Sequence, residues 1–297
     1  MESRIGELAA LFTALCWTVT AVSFEAAGRR IGALAVNLLR LCLGFLFLMI
    51  YSLLFRGMLI PLDASAHAWF WLSISGVVGL LLGDLFLFHA FTIIGSRISM
   101  LIMASVPPLT ALMGWLILGE HLSLRGYAGM ILTVLGIIIV VLVRSPGRNQ
   151  LRLSHSFSGI LYAFGGALGQ AIGLVLSKFG MGDYDPFSAT QIRIIAGLVG
   201  FSILFFFLRA WRPLGSSLKD RRAMQSVTVG SFFGPFLGVS FSLLSVQYTE
   251  TGVAATIMAI VPVIIIPPAI LLFKENVTFR EILGAFIAVA GVAVLLL

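Results

Sequence analysis

The chain has 297 residues, of which 60% are hydrophobic and only 10% are charged, and its mean hydropathy is +1.09. A soluble domain needs about a quarter of its residues charged to cover its surface, so this composition excludes a soluble globule and predicts an all-α integral membrane protein. The net charge of +7 does not indicate a nucleic-acid partner, because the basic residues fall in loops that flank apolar runs rather than on one face.

Ten apolar runs follow one another along the chain, and each is close to the roughly 20 residues that a membrane-spanning helix needs. They cover about residues 5–24, 33–55, 68–91, 97–118, 125–143, 157–178, 187–208, 224–246, 251–273 and 280–297. The first run ends at Glu25 and lacks a small-residue cleavage site, which predicts a retained helix rather than a signal peptide. Little sequence remains between the runs, so a soluble domain is not expected.

Residues 83–139 and 238–294 match each other without a gap at an offset of 155 residues. The matches beyond shared apolar residues are Gly83 with Gly238, Pro107 with Pro262, Glu120 with Glu275, Arg125 with Arg280, Gly129 with Gly284, and Gly136 with Gly291. Hydrophobicity alone does not explain this recurrence, so the chain is a duplicated membrane protein. Each half holds five spans, an odd number, which predicts two inverted five-helix repeats with a cavity between them, as in secondary transporters.

A polar, turn-rich segment from Arg144 to Arg152 separates the two halves. We therefore expect a first five-helix repeat at 1–145, a linker at 146–156 and a second five-helix repeat at 157–297. When alternate loops are grouped, most of the 19 Lys and Arg residues fall on the linker's side of the membrane. The positive-inside rule predicts that this side is cytoplasmic and that both termini lie outside.

Several motifs recur in this order and resemble the EamA-type repeat of the drug/metabolite transporter superfamily. They are Gly83-Asp84, Val106-Pro107, Leu118-Gly-Glu120 and a Gly-rich closing helix, and in the second half Val261-Pro262, Phe273-Lys-Glu275 and Gly284. The resemblance covers nearly the whole chain and implies a ten-helix transporter in the cytoplasmic (inner) membrane of a prokaryote. Because that family is similar to exporters of amino acids, other metabolites and drugs alike, it implies a small organic solute without naming it.

Asp84 is the acidic residue that lies well inside an apolar run, where a charge costs several kcal/mol unless it is paired, protonated or in a watery cavity. We expect Asp84 to bind solute or to take up and release a proton as a coupling step. Its equivalent in the second half is Val239. The alternative is that Asp84 only orders a helix against a hydroxyl or an arginine. His89 lies about 140° around the helix, which favours an interfacial position over a proton or solute role.

Arg40 and Arg193 occupy equivalent positions, roughly 10 Å inside helices that are expected to start from opposite membrane faces. They either bond loop or broken-helix carbonyls or contact an anionic group of the solute, and either side chain could snorkel to water. Trp17 and Gln170 are equivalent residues of the first helix in each half. An aromatic ring facing an amide across the pseudo-symmetry axis suits an amphipathic metabolite.

Prolines are expected to break helices four and nine inside the bilayer, and they are Pro107, Pro108, Pro262, Pro267 and Pro268. Broken backbone is tolerated at that depth only where protein or cavity water satisfies its polar groups. We therefore expect these helices to form bent cavity walls that take part in gating. A static kink that improves packing is the alternative.

Catalytic, nucleotide-binding and metal-binding motifs do not occur in the sequence, and Cys16 and Cys42 have no CxxC or Cys/His spacing. We therefore expect neither an enzyme, a metal nor a cofactor. The prediction is a secondary transporter that exports an amino acid or similar metabolite by alternating access, coupled to protons through Asp84. A broad drug or cation efflux transporter is the first alternative. A small-solute channel is the second, and it would need a continuous polar lining.

Overall fold

The computed structural model of the protein describes residues 2–118, 124–144, 151–153, 156–249, 251–273 and 277–296. The helices of the first half are α1 (Glu2–Ile31), α2 (Ala33–Arg56), α3 (Ala66–Ser75), the π-helical segment π1 (Gly76–Gly83), α4 (Asp84–Met103), α5 (Val106–Leu118) and α6 (Leu124–Val141). Two three-residue strands, β1 (Leu142–Arg144) and β2 (Leu151–Leu153), then pair antiparallel. Most of the predicted linker, together with Glu120 and Glu275, lies outside the described residues.

The second half has a similar order of helices, with additional short ones. It contains α7 (Phe157–Met181), α8 (Pro186–Leu208), the short α9 (Trp211–Ser217), α10 (Arg221–Ser231), the π-helical segment π2 (Phe232–Gly238), α11 (Val239–Tyr248), α12 (Thr251–Met258), α13 (Val261–Ile264), α14 (Ile266–Phe273) and α15 (Phe279–Leu296). The described protein is therefore all-helical apart from the pair of short strands. A π-helical segment lies in the third predicted span of each half.

Six helical stretches in the described ranges are long and apolar enough to cross a membrane. They are Arg4–Ile31, Ala33–Arg56, Ala66–Met103, Phe157–Met181, Pro186–Leu208 and Arg221–Tyr248, and Val261–Phe273 is a shorter apolar stretch. These six correspond to predicted spans one, two, three, six, seven and eight. The protein is an integral membrane protein, as the composition predicted.

One predicted helix boundary needs correction. The first helix continues to Ile31 instead of ending near residue 24, because Glu25 accepts a hydrogen bond from Ser96 and Arg30 pairs with Asp220 on other helices. The predicted boundary between the third and fourth spans is confirmed. At Gly95, φ of 78° and ψ of 161° divide α4 into two helical stretches, a backbone conformation that glycine adopts most readily. The fourth span is broken again at residues 104–105, just before α5.

The two halves pack against each other in a reciprocal way. The first helix of the second half, α7, packs against α3, π1 and α4 of the first half. In turn α1 packs against α10, π2 and α11, and α2 packs against α8. Each half therefore covers the third span of the other half with its own first helix.

Individual contacts of these interfaces occur at equivalent positions in the two halves. A Cβ atom added to Gly44 in α2 would lie 2.9 Å from the side chain of Pro235 in π2. A Cβ atom added to Gly197, at the equivalent position in α8, would lie 3.6 Å from the Cβ of Leu80, the equivalent residue in π1. Small residues at both positions allow the helices to approach closely, as is common in membrane proteins.

The closing helices α6 and α15 pack backbone to backbone. A Cβ atom on Gly136 would lie 2.7 Å from the Gly284 carbonyl and overlap the Ala288 amide, and one on Gly291 would lie 2.6 Å from Oγ1 of Thr133. The hydroxyl of Thr133 also donates a 3.4 Å hydrogen bond to the carbonyl of Ala288, the residue at its own equivalent position. Because residue numbers run in opposite directions along this contact, the two helices are antiparallel.

We predict that Gly136→Ala and Gly291→Ala each lower the thermal unfolding midpoint of the detergent-solubilised protein. The added methyl group forces the two backbones apart, which costs about 1–3 kcal/mol for an overpacked site. Differential scanning fluorimetry measures the effect. The control is Gly215→Ala in α9, where no atom lies within 4 Å of the added Cβ. Unchanged midpoints for both test variants would contradict the backbone contact.

Candidate functional site

A cavity lies where the middle of α1 meets α2, α4, α7 and π2. Its wall contains Trp17, Thr20, Ala21, Phe24, Arg40, Leu80, Asp84, Leu87, Phe88, Phe91, Met100, Met103, Gln170, Gly234, Pro235 and Val239. The volume of the cavity is about 70 Å³, which is room for a few water molecules. Arg40 and Asp84 are the charged residues of this wall.

Arg40 and Asp84 form an ion pair inside the helix bundle. Nη2 of Arg40 lies 2.7 Å from Oδ2 of Asp84. The side chain of Arg40 is 3% exposed and that of Asp84 is 14% exposed, so the carboxylate is the more accessible partner. The pair connects α2 to the first residue of α4, and it satisfies two charges that would each be costly alone at this depth.

Arg40 also holds the π-helical segment. Its Nη2 donates to the carbonyl of Leu80 at 2.9 Å, and its Nε donates to Oδ1 of Asn37 at 3.1 Å. The guanidinium lies 4.8 Å from the centroid of the Phe88 ring, which is a cation–π distance. One arginine thus bonds a carbonyl of π1, an amide of its own helix and the carboxylate that faces the cavity.

Arg193 extends from α8 towards π1, near the same carboxylate. The side chain is close enough to Asp84 for a favourable Coulomb interaction, and a Cβ atom on Gly79 would lie 3.2 Å from its Nη2. Arg40 and Arg193 are each 2% exposed. Neither side chain therefore extends to water in this structure, and the missing side chain of Gly79 in π1 leaves room for the guanidinium of Arg193.

Trp17 and Gln170 lie between this cavity and a second one, and both residues line both cavities. Met100 and Met103 are the other residues that the two cavities share. The second cavity has a volume of about 40 Å³, and its walls are almost entirely apolar. The structure thus sets a chamber with charged groups next to an apolar chamber, with an aromatic ring and an amide between them.

Pro107 and Pro262 also line the apolar chamber. Each is the second residue of a helix that follows a break, α5 after residues 104–105 and α13 after residues 259–260. Pro267 is likewise the second residue of α14. Proline is favoured in the first helical turn because its missing N–H would have no partner there. The prolines therefore begin new helical segments beside the cavity; Pro108 and Pro268 follow them and are not among its lining residues.

His89 points away from both cavities. It is exposed, and its ring packs edge-on against Tyr162 with ring centroids 4.7 Å apart. The structure does not bring His89 together with Asp84. Of the site residues that the sequence proposed, Trp17, Arg40, Asp84 and Gln170 share the first cavity, and Arg193 lies beside it.

A family model describes this chain over residues 4–142 and again over residues 157–297, and its description is the EamA-like transporter family. The chain belongs to the EamA-like transporter family. The protein is therefore a membrane transporter whose partner is a small-molecule solute, as the sequence motifs implied.

This EamA-like transporter is similar to another protein in sequence and to a solved chain in fold, each over nearly its whole length. A protein of Archaeoglobus fulgidus described as an "Uncharacterized transporter" is 23% identical over 292 residues, which are 98% of this chain and 97% of the relative. A solved chain described as "Crystal structure of protein" matches with a TM-score of 0.64 and 16% identity, over 97% of this chain and 95% of that one. At that identity the second likeness shows a shared fold.

The transporter contains a second buried carboxylate that the sequence interpretation left at the end of a span. Glu25 in α1 is 0% exposed, and its Oε2 accepts a 2.7 Å hydrogen bond from the backbone N–H of Ser96. Ser96 follows the bend at Gly95, so Glu25 satisfies an amide at the start of a helical stretch. Glu25 also pairs with Arg29. That i,i+4 pair was the signal in the sequence that α1 continues past residue 24.

Asn37 is a second residue that the sequence interpretation missed. It is fully buried in α2, and its Nδ2 donates to the carbonyls of Ala33 at 3.1 Å and Asp84 at 3.3 Å. Asn37 therefore orients both members of the ion pair, since its Oδ1 accepts from Arg40. The available signal was its position three residues before Arg40, on the same helix face.

Polar contacts connect the two halves at both ends of the bundle. At one end, Nε of Arg30 in α1 lies 2.9 Å from Oδ2 of Asp220, just before α10. At the other end, Arg56 pairs with Asp63 and donates to Tyr184 at 3.2 Å. The hydroxyl of Tyr184 donates to Asp63 at 2.8 Å, and this bond holds the pKa of the Asp63 carboxyl below its usual value.

We predict that Glu25→Ala lowers the free energy of unfolding more than Glu25→Gln. Alanine leaves the buried Ser96 amide without an acceptor, at a cost of about 1–3 kcal/mol, whereas the glutamine carbonyl still accepts that bond. Thermal unfolding of both variants in one detergent measures the difference. Equal midpoints for the two variants would show that the contact to Ser96 contributes nothing to stability.

Proposed function

We propose that this EamA-like transporter is a ten-helix secondary transporter that exports an amino acid or similar metabolite by alternating access. We assign it to the cytoplasmic membrane of a prokaryote. The observation that carries the proposal is the site between the halves, where Trp17 and Gln170 separate a charged chamber from an apolar one. Equivalent residues from the two halves meet there, as expected when a solute site forms at a repeat interface.

Reciprocal contacts support inverted repeats. Gly136 contacts Ala288 while Gly291 contacts Thr133, which are the same two positions exchanged between the halves. Such an exchange is characteristic of a two-fold relation. Because α6 and α15 are antiparallel, the axis is perpendicular to both helices and lies in the plane of a membrane that they cross. Two copies of five spans then make ten.

The chemistry of the two chambers favours an amphipathic solute. Asp84 offers a carboxylate, Arg40 offers a guanidinium, and Gln170 offers both a donor and an acceptor. Met100 and Met103 lead into the apolar chamber, where flexible side chains adapt to different apolar groups. An amino acid or a similar metabolite presents charged groups at one end and an apolar group at the other, which matches this order.

The polar contacts at the two ends of the bundle support alternating access. Opening one end requires separation of Arg30 from Asp220, and opening the other requires separation of Arg56 from Tyr184. The helix breaks before α5 and α13 provide points where the backbone can bend without losing further hydrogen bonds. We propose that these breaks take up the movement of one repeat against the other.

Asp84 provides a route for proton coupling. Its carboxylate faces the cavity, where a proton and a positively charged group of the solute would compete for the same oxygens. By linkage, competitors for one site exchange for each other, so inward release of a proton would favour loading of the solute for export. This arrangement makes proton–solute exchange the expected form of coupling.

We predict that proteoliposomes containing the protein show saturable counterflow of one class in a labelled panel of amino acids, nucleosides, sugars and cationic drugs. Asp84→Asn should keep the fold but abolish counterflow or its difference between two pH values, because the amide cannot titrate. The matched control is Asp183→Asn, an exposed carboxylate between α7 and α8. Unchanged rates and an unchanged pH profile for Asp84→Asn would remove this residue from the mechanism.

We predict that Pro262→Ala is produced and folds normally but turns over solute several-fold more slowly. Alanine restores an N–H donor next to the break before α13, which favours a continuous, stiffer helix. Counterflow at saturating solute measures turnover. Pro186→Ala, at the first residue of α8 and away from the lining of both cavities, is the control. Normal turnover by Pro262→Ala would reduce the break to a packing feature.

A further inference from the structure

The buried charges at the centre of the described bundle do not balance. Arg40 and Arg193 are each 2% exposed; Arg40 forms an ion pair with Asp84, and Arg193 lies within electrostatic range of the same carboxylate. Glu25, a fully buried carboxylate, pairs with Arg29 and accepts a hydrogen bond from the Ser96 amide. One positive charge is therefore in excess around Asp84.

The duplication explains where the excess arises. In the first half, Arg40 pairs with Asp84, whereas the residue at the Asp84 position of the second half is Val239. Arg193 therefore has no carboxylate of its own repeat at that position, and its Nε finds no hydrogen-bond acceptor among the described residues. A buried cation without a full complement of partners is costly. An anion that enters the site would reduce that cost.

The geometry shows how Arg193 can act on a ligand that it does not touch. Arg193 lies on the α8 side of Asp84, while Asp84, Arg40, Val239 and Gln170 line the cavity itself. Arg40 and Asp84 neutralise each other in the cavity wall, so the positive charge of Arg193 behind them leaves a net attraction for an anion. Val239 adds no charge of its own to that wall.

We propose that the transported solute carries an anionic group, a carboxylate or a group of like charge, which completes the cluster of Arg40, Asp84 and Arg193. The anionic group lies in the charged chamber near Arg40, and the apolar part of the solute extends past Trp17 into the apolar chamber. This inference rests on the proposed function, since it requires that the solute enters this cavity.

A series of four compounds with one apolar group and different charges tests the proposal. The probes are 3-phenylpropanoate, phenylalanine, 3-phenylpropan-1-amine and 3-phenylpropan-1-ol, measured by counterflow in proteoliposomes at neutral pH beside the broader panel. We expect exchange of the acid and the amino acid, and exchange of the amine and the alcohol that is at least about tenfold slower, since a desolvated charge contact contributes a factor of that size or more.

Two variants each remove the excess positive charge of the Arg40, Asp84 and Arg193 cluster, one by adding an anion and one by removing a cation. Val239→Asp adds a carboxylate at the position equivalent to Asp84, and Arg193→Met removes the excess cation while keeping a long apolar side chain. Each should lower exchange of 3-phenylpropanoate about tenfold or more. Val239→Asn changes shape and polarity without charge, so the ratio between Val239→Asp and Val239→Asn measures the contribution of charge. Size-exclusion chromatography and thermal unfolding establish that each variant is folded.

The outcomes separate the inference from the proposed function. Exchange confined to compounds without an anionic group would leave the transporter function in place and overturn the inference, as would equal exchange of 3-phenylpropanoate by Val239→Asp and Val239→Asn. If Val239→Asp does not fold, unchanged exchange by Arg193→Met overturns it. Exchange of the alcohol that requires chloride would assign the anion to a co-transported ion and overturn the assignment to the solute. No exchange of any compound would overturn the proposed function itself.

Discussion

The ion pair of Arg40 and Asp84 is the interaction on which the centre of this transporter depends. It joins α2 to the start of α4, and through Leu80 the same guanidinium also bonds π1. A buried ion pair adds little net stability, because desolvation of two charges offsets their attraction. Its position in the cavity wall supports the role in solute recognition that we propose, while close glycine contacts pack α6 against α15.

The two halves share equivalent packing residues, but they differ at the residues that line the cavity. Gly136 and Gly291 are equivalent and make similar close contacts. The proposed solute site is not symmetric, since Trp17 is equivalent to Gln170 and Asp84 is equivalent to Val239. A solute with distinct ends needs such a site, because a symmetric one would offer both ends the same groups.

Much of the fold and part of the candidate site were predictable, because they depend on patterns that can be read from short stretches of sequence. Apolar run length gave the spanning helices, and the aligned halves brought Trp17 and Gln170 to one site. The reach of Arg193 to Asp84 was not predictable, since a long side chain can extend in several directions and neighbouring helices select one. The burial of Glu25 depends likewise on an amide that is 71 residues away in the sequence. The π-helical segments have no characteristic amino-acid composition that distinguishes them from α-helices, so the sequence alone does not predict them. Packing between helices determines where they form.

Asp84 directly follows π1, so the conformation of π1 determines the direction in which the Asp84 carboxylate points. A π-helical turn holds one more residue than an α-helical turn, so its conversion would rotate all that follows by about 100°, the angle of a single residue. Such a rotation would carry the carboxylate away from Arg40 without any change in the ends of the helix. The extra residue in π1 thus sets the rotation of α4 about its own axis. The hydrogen bond from Arg40 to the Leu80 carbonyl stabilises π1 and therefore that rotation.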